Sequence, residues 1–461
     1  MNPITIPNIS IPTIGIPTIG IPSVGFPSAS GGGLVWPAGM KEHIKAIYDP
    51  KKQGMTNFDV IESYAEDFTT WRYLDSRGIA TITGSTIHIT EAKSIQGIVE
   101  DNKEPYSDIK ILVQGVTADN PLNVRDINGT KAVIDKDGVY EFKDNGLYFG
   151  FGFSKVGVVD VTITQLPTSI LKDLSGNGNH AYLYGGKGKL NSGMGLYKVD
   201  FTSWRKSSVQ TEVKPDVVKV TPNTSNYLFI QYANSVEIPS YKIKVIGLGD
   251  NVLKYQYATE NGRKEINIVE GENELPTSIK VSNDYQIGYR LTPGTSVFTI
   301  TQIPDYPDQL CYDGKMYAVC YGFPILTDYT VMAERTWFEK EEYSAFISNS
   351  LGGLEDPSNG AFSVELKSLN SFTTISFGSM TSIGIPEKGI TYQTKQSYNG
   401  NSINVGTKES NDILILGSRY FYKNNNTPGS TWTGCHGAII IADRSFTEEE
   451  INWLKDNWKK I

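Results

Sequence analysis

The residues best suited to chemistry lie in one stretch near the carboxyl terminus, positions 419–436. The stretch is rich in aromatic rings and side-chain amides, and the candidates for ligand contact are Tyr422, Asn424, Asn426, Trp432 and His436. Sugars stack on exposed aromatic faces and exchange hydrogen bonds with amide, carboxylate and ammonium groups. The asparagine run predicts a protruding loop, where binding residues are often found. The stretch therefore predicts a glycan-binding site, with the alternative that its rings fill the core of a β-sandwich.

Signatures of catalysis are missing from the sequence. Polysaccharide hydrolysis needs two carboxyl groups placed about one sugar bond. The nearest approach to such a pair is the group Glu339, Glu341 and Glu342, which we interpret as a solvated surface. The sequence has neither a Gly-x-Ser-x-Gly nucleophile motif nor a phosphate-binding loop ending in Gly-Lys-Ser/Thr. We therefore expect a protein that is not an enzyme.

Metal and cofactor sites are not indicated either. The four histidines lack metal-ligand spacing. A calcium site using Asp173 and Asn177 is one interpretation of the segment 172–181, but the small number of nearby oxygen ligands favours a turn stabilised by its own side chains. The three cysteines favour buried free thiols, although Cys311 and Cys320 lie in neighbouring apolar stretches and could pair. We expect no cofactor and no bound metal.

The composition restricts the class of protein. A chain with 45 glycines, 26 tyrosines and 20% charged residues is typical of β-rich folds joined by many turns. The net charge of −8 argues against nucleic-acid binding, since the chain would repel phosphate. Because no apolar run approaches 18 residues, we expect no membrane insertion. The amino terminus does not have the pattern of a signal peptide, which predicts synthesis in a cytoplasm.

One passage occurs twice in the chain. The first copy contains IKI at 109–111 and closes on VTITQLP at 161–167, and the second contains IKV at 243–245 and closes on FTITQIP at 298–304. Each copy, at about 90 residues, is long enough to bury its own core. Alternation of apolar and polar residues within the copies predicts antiparallel strands. We therefore predict a duplicated β-sandwich.

The two copies interrupt another domain. We place the first sandwich at residues 78–166 and the second at 216–303. The interrupted domain then consists of residues 34–77, 167–215 and 304–461. It is predicted to be β-rich apart from short helices.

Three segments of the interrupted domain favour helix. Short helices are predicted over residues 38–47 and within 57–73. A third helix is predicted at the carboxyl terminus, where Thr447 and Glu450 have the spacing of a capping box.

Residues 1–33 form a segment of their own. A proline occupies every fifth position, in the pairs Ile6-Pro7, Ile11-Pro12, Ile16-Pro17, Ile21-Pro22 and Phe26-Pro27. This spacing is incompatible with an α-helix or a central strand and predicts an extended arm. Because an extended apolar arm cannot bury its own side chains, we interpret these isoleucines and prolines as residues that anchor the protein on a partner. A spacer is the alternative, and the glycine-rich end of the segment predicts a hinge.

Four segments of the interrupted domain follow one another in a recognisable order: KDLSGNGNHA at 172–181, CYDGKMY at 311–317, LTDYTV at 326–331 and GAIIIADRSFTEEEI at 437–451. Together they resemble concanavalin A-like, laminin-G-type jelly-roll domains. The resemblance implies an all-β fold, in which a jelly roll is interrupted by two homologous small β-sandwiches, preceded by an extended N-terminal arm and closed by a short C-terminal helix. Lys315 and Met316 stand where the family has paired aspartates, which weakens any transfer of a metal or sugar site.

The Ile-Pro arm, the jelly roll and the inserted sandwiches together resemble virion fibre or appendage proteins of tailed phages that infect Bacteroidetes-type gut bacteria, including the crAss-like group. This resemblance implies a head fibre or capsid-decorating fibre on the virion surface, anchored to capsid or tail proteins by its arm and presenting lectin-like modules to host or mucus glycans. It also implies a homo-oligomer, with a trimer favoured. The alternatives are a tail-fibre receptor-binding protein and a free or cell-surface lectin of a gut bacterium.

Overall fold

The computed structural model describes most of the chain from residue 34 onward. The described ranges are 34–73, 79–92, 97–99, 104–188, 190–206, 210–222, 228–232, 237–280, 287–339, 343–350, 360–368, 371–384, 388–419, 421–422 and 427–461. Within them the protein is built almost entirely from antiparallel strands, and its longest helix lies at the carboxyl terminus. The predicted all-β fold class with a short C-terminal helix is confirmed.

Two eight-stranded sheets packed face to face form the interrupted domain, which we call the frame. In order of pairing, the first sheet contains Gly193–Leu196, Asp305–Asp313, Thr433–Ala442, Thr330–Trp337, Lys388–Thr394, Ser397–Tyr398 and Asn401–Ser402, with Ile44–Tyr48 also paired to Thr433–Ala442. The second contains Ile170–Leu171, Ala181–Tyr184, Tyr317–Tyr321, Ile413–Leu416, Ala345–Ser350, Gly360–Ser368, Ser371–Ser376 and Ser379–Ile383. A short hairpin, Phe421–Tyr422 with Thr427–Pro428, lies outside both sheets.

Each inserted unit consists of two five-stranded sheets around one apolar core. The first unit has the sheets Arg72–Tyr73, Gly97–Val99, Phe149–Phe153, Leu122–Asp126, Gly129–Ile134 and Ile79–Ile82, Thr86–Ala92, Gly157–Gln165, Ile109–Gln114, Gly138–Phe142. The second has Arg205–Lys206, Leu228–Tyr232, Ile287–Thr292, Val252–Thr259, Gly262–Ile268 and Gln210–Val213, Val217–Thr221, Phe298–Ile303, Tyr241–Ile246, Gly271–Leu275. The strands follow the same order in both units, as expected for a duplicated module.

Helices are short and few in the described ranges. The α-helices are Pro50–Gln53 and Glu448–Asn457, and the 3₁₀ turns are Lys41–His43, Phe68–Thr70 and Phe201–Ser203. Two predicted helices are wrong. The segment 38–47 is a turn, a 3₁₀ turn and then strand, because Ile44–Tyr48 pairs with the strand Thr433–Ala442, a tertiary contact that overrides local preference. Turns replace the predicted helix within 57–73.

The C-terminal helix begins as its sequence predicts. The Thr447 hydroxyl accepts a hydrogen bond from the Glu450 amide, and the Glu450 carboxylate accepts one from the Thr447 amide, which completes the capping box. Arg444 binds the same carboxylate, and this contact holds the pKa of Glu450 below its ordinary value. Ile451 and Leu454 are buried against the frame.

A capped turn opens each inserted sandwich. The Asp67 carboxylate accepts a hydrogen bond from the Thr69 amide, and Asp200 has the equivalent bond in the second unit. The tryptophan after each turn enters the core, where Trp71 stacks at 5.7 Å on Phe151. These turns lie before residues 78 and 216, so each sandwich core extends further toward the amino terminus than the predicted boundaries. The short motif Asp-Phe-Thr-Thr/Ser-Trp-Arg, present in both copies, marks this start.

The glutamine of the repeated TITQ phrase ties each sandwich to the chain segment that leads into it. Gln302 is 2% exposed, and its Oε1 accepts hydrogen bonds from the amides of Lys198 (2.8 Å) and Val199 (3.2 Å). Its Nε2 donates to the Val199 carbonyl at 2.8 Å. Gln165 makes the same kind of two-way contact with the backbone of Glu66. The repeated glutamine is therefore explained by the backbone groups that it pairs, of which those of Val199 are buried.

Replacing Gln302 by alanine is expected to destabilise the second sandwich by about 2 kcal/mol, because buried backbone groups lose their partners. Hydrogen exchange is the direct measurement, since the Lys198 and Val199 amides should exchange much faster in the variant. Thr301→Ala, a half-buried position on the same strand, is the matched control. Equal protection of both amides in the two variants would contradict the role given to Gln302.

The first sandwich packs on the outer face of the second frame sheet. Leu112 and Leu166 of the sandwich share an apolar cluster with Tyr182, Tyr184 and Tyr317 of the frame. The rings of Tyr184 and Tyr317 stack with centroids 5.1 Å apart. This cluster fixes the first sandwich to the frame by burial of aromatic surface.

Candidate functional site

Several predicted site residues lie outside the described ranges. The proposed anchoring residues Ile6, Pro7, Ile11, Pro12, Ile16, Pro17, Ile21 and Pro22 all belong to the undescribed segment 1–33. Asn424 and Asn426 are likewise outside, between the two strands of the hairpin that contains Tyr422. Their predicted roles remain predictions.

Two of the other three glycan-binding candidates lie in the core of the frame, and the side chain of the third, Tyr422, lies outside the described part of the chain. Trp432 and His436 are both 0% exposed. The Trp432 ring lies 5.1 Å from that of Phe346 and 5.3 Å from that of Tyr312, measured between centroids. Because a sugar cannot stack on a ring without exposed surface, the prediction that these two residues bind glycan is wrong, and the alternative core role applies to them.

The hydrogen bonds of His436 define its protonation. Nδ1 lies 2.7 Å from the Gly437 carbonyl and must carry the proton, so Nε2 accepts from the Tyr312 hydroxyl at 3.1 Å. Burial lowers the pKa of His436 to about 4. The imidazole is therefore neutral at pH 7 and serves as a structural acceptor inside the sandwich.

The segment around Asp173 is a turn fastened to a neighbouring strand. The Asp173 carboxylate accepts hydrogen bonds from the amides of Ile47, Ser175 and Asn179, and from the Ser175 hydroxyl. Asn177 donates to the carbonyl of Ile44 at 2.8 Å. The carboxylate thus accepts hydrogen bonds from N–H and O–H groups of the turn and of the neighbouring strand. In the described ranges, no group of three His, Cys, Asp or Glu side chains is arranged to hold a metal ion.

The cysteines are all buried free thiols. Cys311 faces Cys435 across the paired strands Asp305–Asp313 and Thr433–Ala442, rather than Cys320. Burial, followed by the neighbouring Cys435, raises the pKa of the Cys311 thiol well above its ordinary value. A thiol in this environment is a small apolar core group of low reactivity.

An exposed aromatic side chain lies where the frame meets both inserted sandwiches. We call residues 54–63 the junction loop. Phe58 at its tip is 82% exposed, and Ile61 beside it is 38% exposed. Thr56 donates from its amide and its hydroxyl to the Asp59 carboxylate, both at 2.7 Å, which closes a tight turn around the ring. These bonds hold the pKa of Asp59 below its ordinary value.

Contacts with a glycine-rich segment of the frame hold the junction loop in place. Asn57 accepts a hydrogen bond from the Met194 amide at 2.6 Å, and Glu62 accepts one from the Gly185 amide at 2.6 Å. A side chain at Gly186 would collide with the Val60 carbonyl. The glycines therefore allow the loop backbone to lie directly on the frame, which presents Phe58 from a fixed base.

Two clefts of about 400 Å³ each flank Phe58. The Asp216 cleft lies toward the second sandwich and is lined by Thr56, Asn57, Phe58, Ile61, Gly188, Leu190, Tyr197, Lys214, Pro215, Asp216 and Val217. The Lys172 cleft lies by the chain segments that lead into and out of the first sandwich, and is lined by Gln53, Gly54, Met55, Phe58, Asp59, Ser63, Thr168, Ser169, Ile170 and Lys172. Each cleft thus combines one side of an exposed ring with ammonium, carboxylate and hydroxyl groups.

The sequence pattern does not reveal the junction loop, because it favours helix within 57–73, a range that includes most of the loop. The signal that could have revealed it is a single aromatic residue within the turn-forming run Thr56-Asn57-Phe58-Asp59. An aromatic side chain in such a turn has few neighbours that could bury it. Of the three carboxylates nearest to a catalytic pattern in the sequence, Glu339 is exposed, and Glu341 and Glu342 are outside the described ranges.

Comparison with known proteins gives few similarities. No known family matches the chain, and no curated protein is detectably similar to it. Among solved structures, Trypanosoma rangeli sialidase in complex with sialic acid aligns over 84% of each chain at 9% identity, with a TM-score of 0.25. The M60 catalytic domain with the CBM51-1 and CBM51-2 domains from Clostridium perfringens ZmpB aligns over 54% of this chain and 37% of its own at 10% identity, with a TM-score of 0.18. TM-scores of this size do not indicate a shared fold.

Among the described helices, none combines the length and apolar character needed to cross a bilayer.

Proposed function

We propose that the protein is a structural component of a phage virion, a head fibre or capsid-decorating fibre, that binds glycans at the junction loop. The observation that carries the glycan-binding part is Phe58, an aromatic ring that is 82% exposed and lines two clefts that also contain charged side chains. Binding residues are often found on loops that a rigid scaffold holds in position, as the frame holds this one.

The chemistry of the clefts suits a neutral or weakly charged sugar. A pyranose presents an apolar C–H face that can pack on Phe58, and its hydroxyl groups donate and accept hydrogen bonds at the ring edges. Lys214 and Asp216 lie in one cleft, and Lys172 and Asp59 lie in the other. Each cleft thus offers both a donor and an acceptor, which matches hydroxyl groups better than it matches an anion.

The organisation of the chain supports a fibre. The first sandwich is fixed to the frame by its tyrosine cluster, and both sandwiches keep their leading segments bound through a buried glutamine. The Ile-Pro arm would supply the attachment to capsid or tail proteins, since its apolar residues need a partner surface to become buried.

Replacing Phe58 by alanine is expected to weaken glycan binding about tenfold, because a central aromatic contact typically contributes on the order of 1–2 kcal/mol. The measurement is a glycan array with the full chain, followed by titration of the best ligand. Val158→Ala removes apolar surface that is 92% exposed on the first sandwich, and it is the matched control. Binding that survives in Phe58→Ala at wild-type affinity would exclude the junction loop as the site.

Immunogold labelling distinguishes the virion placement from the two alternatives. Antibody against the second sandwich should decorate the heads of purified virions. Label at the tail would favour the receptor-binding protein, and label on uninfected gut bacteria would favour the lectin.

A further inference from the structure

We propose that the interior of the frame contains a binding site for a small monovalent anion, of the size of a halide ion, beside Arg335. This site is separate from the junction loop and does not depend on the proposed function. It follows from a buried guanidinium group, one nitrogen of which lacks an acceptor in the described part of the protein, and from two tryptophan N–H groups that lack one there as well.

Arg335 is a charged residue that lies almost completely buried in the frame. It lies in the strand Thr330–Trp337, points into the core and is 1% exposed. Its Nε donates to the Thr391 hydroxyl at 3.2 Å and its Nη2 to the Tyr398 hydroxyl at 2.7 Å. Both partners are neutral, and Nη1 has no acceptor among the residues that the structure describes.

The positive charge of Arg335 has no described counter-charge. In the described ranges, no carboxylate forms an ion pair with it, and its other close neighbours are the aromatic rings of Trp337 at 6.0 Å and Phe346 at 5.7 Å. Burial lowers the pKa of the guanidinium, but arginine keeps its proton in proteins. An isolated buried charge is strongly unfavourable unless an opposite charge accompanies it. A bound anion would supply that charge.

Two further donors lie in the same cluster. The indole Nε1 atoms of Trp337 and Trp432 are buried and have no acceptor among the described residues. The two rings are 5.6 Å apart between centroids, and the Phe346 ring lies 5.1 Å from the Trp432 ring and 5.7 Å from the Arg335 guanidinium carbon. All three unpaired groups of this cluster are donors. One anion can accept from all of them, whereas a water molecule accepts fewer bonds and leaves the charge of Arg335 uncompensated.

The tight packing around the cluster restricts the size of the ligand. A methyl group added at Gly434 would overlap the Trp432 ring and the Thr336 carbonyl, and one added at Gly417 would overlap the Tyr312 ring. The neighbouring His436 is neutral, and its Nε2 already accepts a hydrogen bond from the Tyr312 hydroxyl. A single cation in closely packed surroundings matches a monovalent halide rather than a sulfate, a phosphate or an acidic sugar.

Thermal unfolding of the full chain in sodium bromide tests the site, with sodium gluconate at equal ionic strength as the control for screening. Bromide should raise the unfolding temperature of the wild type in a saturable manner, because a ligand that binds only the folded state stabilises it. Arg335→Met should abolish this response, while Arg290→Met, an exposed arginine on the second sandwich, should preserve it. Trp337→Phe keeps a ring but loses the N–H group, so about tenfold more bromide should be needed.

A bromide-soaked crystal of the wild type provides the second measurement and needs no variant. An anomalous peak within hydrogen-bonding distance of Arg335 Nη1 and the two indole nitrogens is the expected result. The same bromide response in wild type and Arg335→Met would overturn the proposal. If Arg335→Met does not fold, the absence of an anomalous peak or an unchanged response in Trp337→Phe would overturn it.

Discussion

Trp432→Ala should lower the free energy of unfolding of the frame by about 3–5 kcal/mol. The ring is fully buried and packs on Tyr312, Trp337 and Phe346, so its removal loses burial energy and leaves a cavity among three aromatic rings. Denaturant unfolding followed by far-UV circular dichroism measures the effect. A surface sugar contact at this position would predict the opposite result, lost glycan binding with unchanged stability.

Phe58→Ala is the natural control for this experiment. It also removes an aromatic ring, but one that is 82% exposed, so the free energy of unfolding should change by less than about 0.5 kcal/mol. The two variants should therefore separate cleanly, one losing stability and the other losing glycan binding. If Trp432→Ala unfolds within 1 kcal/mol of the wild type, roughly the mean for any substitution, the packing described for the core is incorrect.

Lowering the pH from 7 to 4 should cost the frame about 3 kcal/mol through His436 alone. Burial lowers the pKa of this residue from 6.5 to about 4 in the folded protein. Between these two values the unfolded chain binds a proton that the folded protein excludes, so stability falls as the pH falls. The stabilising effect of neutral His436 is complete above pH 6.5 and lost near pH 4. Each unit by which the two pKa values differ corresponds to 1.36 kcal/mol of unfolding free energy.

His436→Gln isolates this contribution. The glutamine can still accept from the Tyr312 hydroxyl but does not titrate, so its stability should depend less steeply on pH between 6.5 and 4. Unfolding free energies of both proteins at several pH values across this window provide the comparison. Parallel curves would show that His436 is protonated equally in the folded and unfolded states. Asp250 provides an internal reference. Hydrogen bonds from Thr295 and Ser296 lower its pKa to about 2, so the pH range in which Asp250 binds its proton lies below pH 4.

Local and repeated patterns are what the sequence could predict. Alternating residues and turn-forming dipeptides predicted an all-β protein, and Thr447 with Glu450 predicted the cap of the final helix, because these features depend on neighbours along the chain. The repeated TITQ phrase predicted a duplication without comparison to other proteins. The role of its glutamine is visible only in the structure, where Gln302 forms hydrogen bonds with the backbone of Val199.

The prediction of exposure failed where it depended on distant residues. Trp432 and Phe58 are both aromatic residues near turn-forming sequence, and nothing local distinguishes them. The tertiary structure decides, since Tyr312, Trp337 and Phe346 arrive from other strands to cover Trp432, while no comparable set covers Phe58 in the described ranges. The start of each sandwich was missed for the same reason, because Trp71 belongs to a core whose other members follow it by many residues.

The sequence by itself determined the secondary-structure class, the duplication and the helix cap. Short-range hydrogen bonding and the period of burial depend on residues that are neighbours in the chain. Only the tertiary structure decided which aromatic residues face solvent, which charge is buried and where the modules meet. Burial is a property of the whole packing arrangement, and the side chains that enclose Arg335 and leave Phe58 exposed come from strands far apart in the chain.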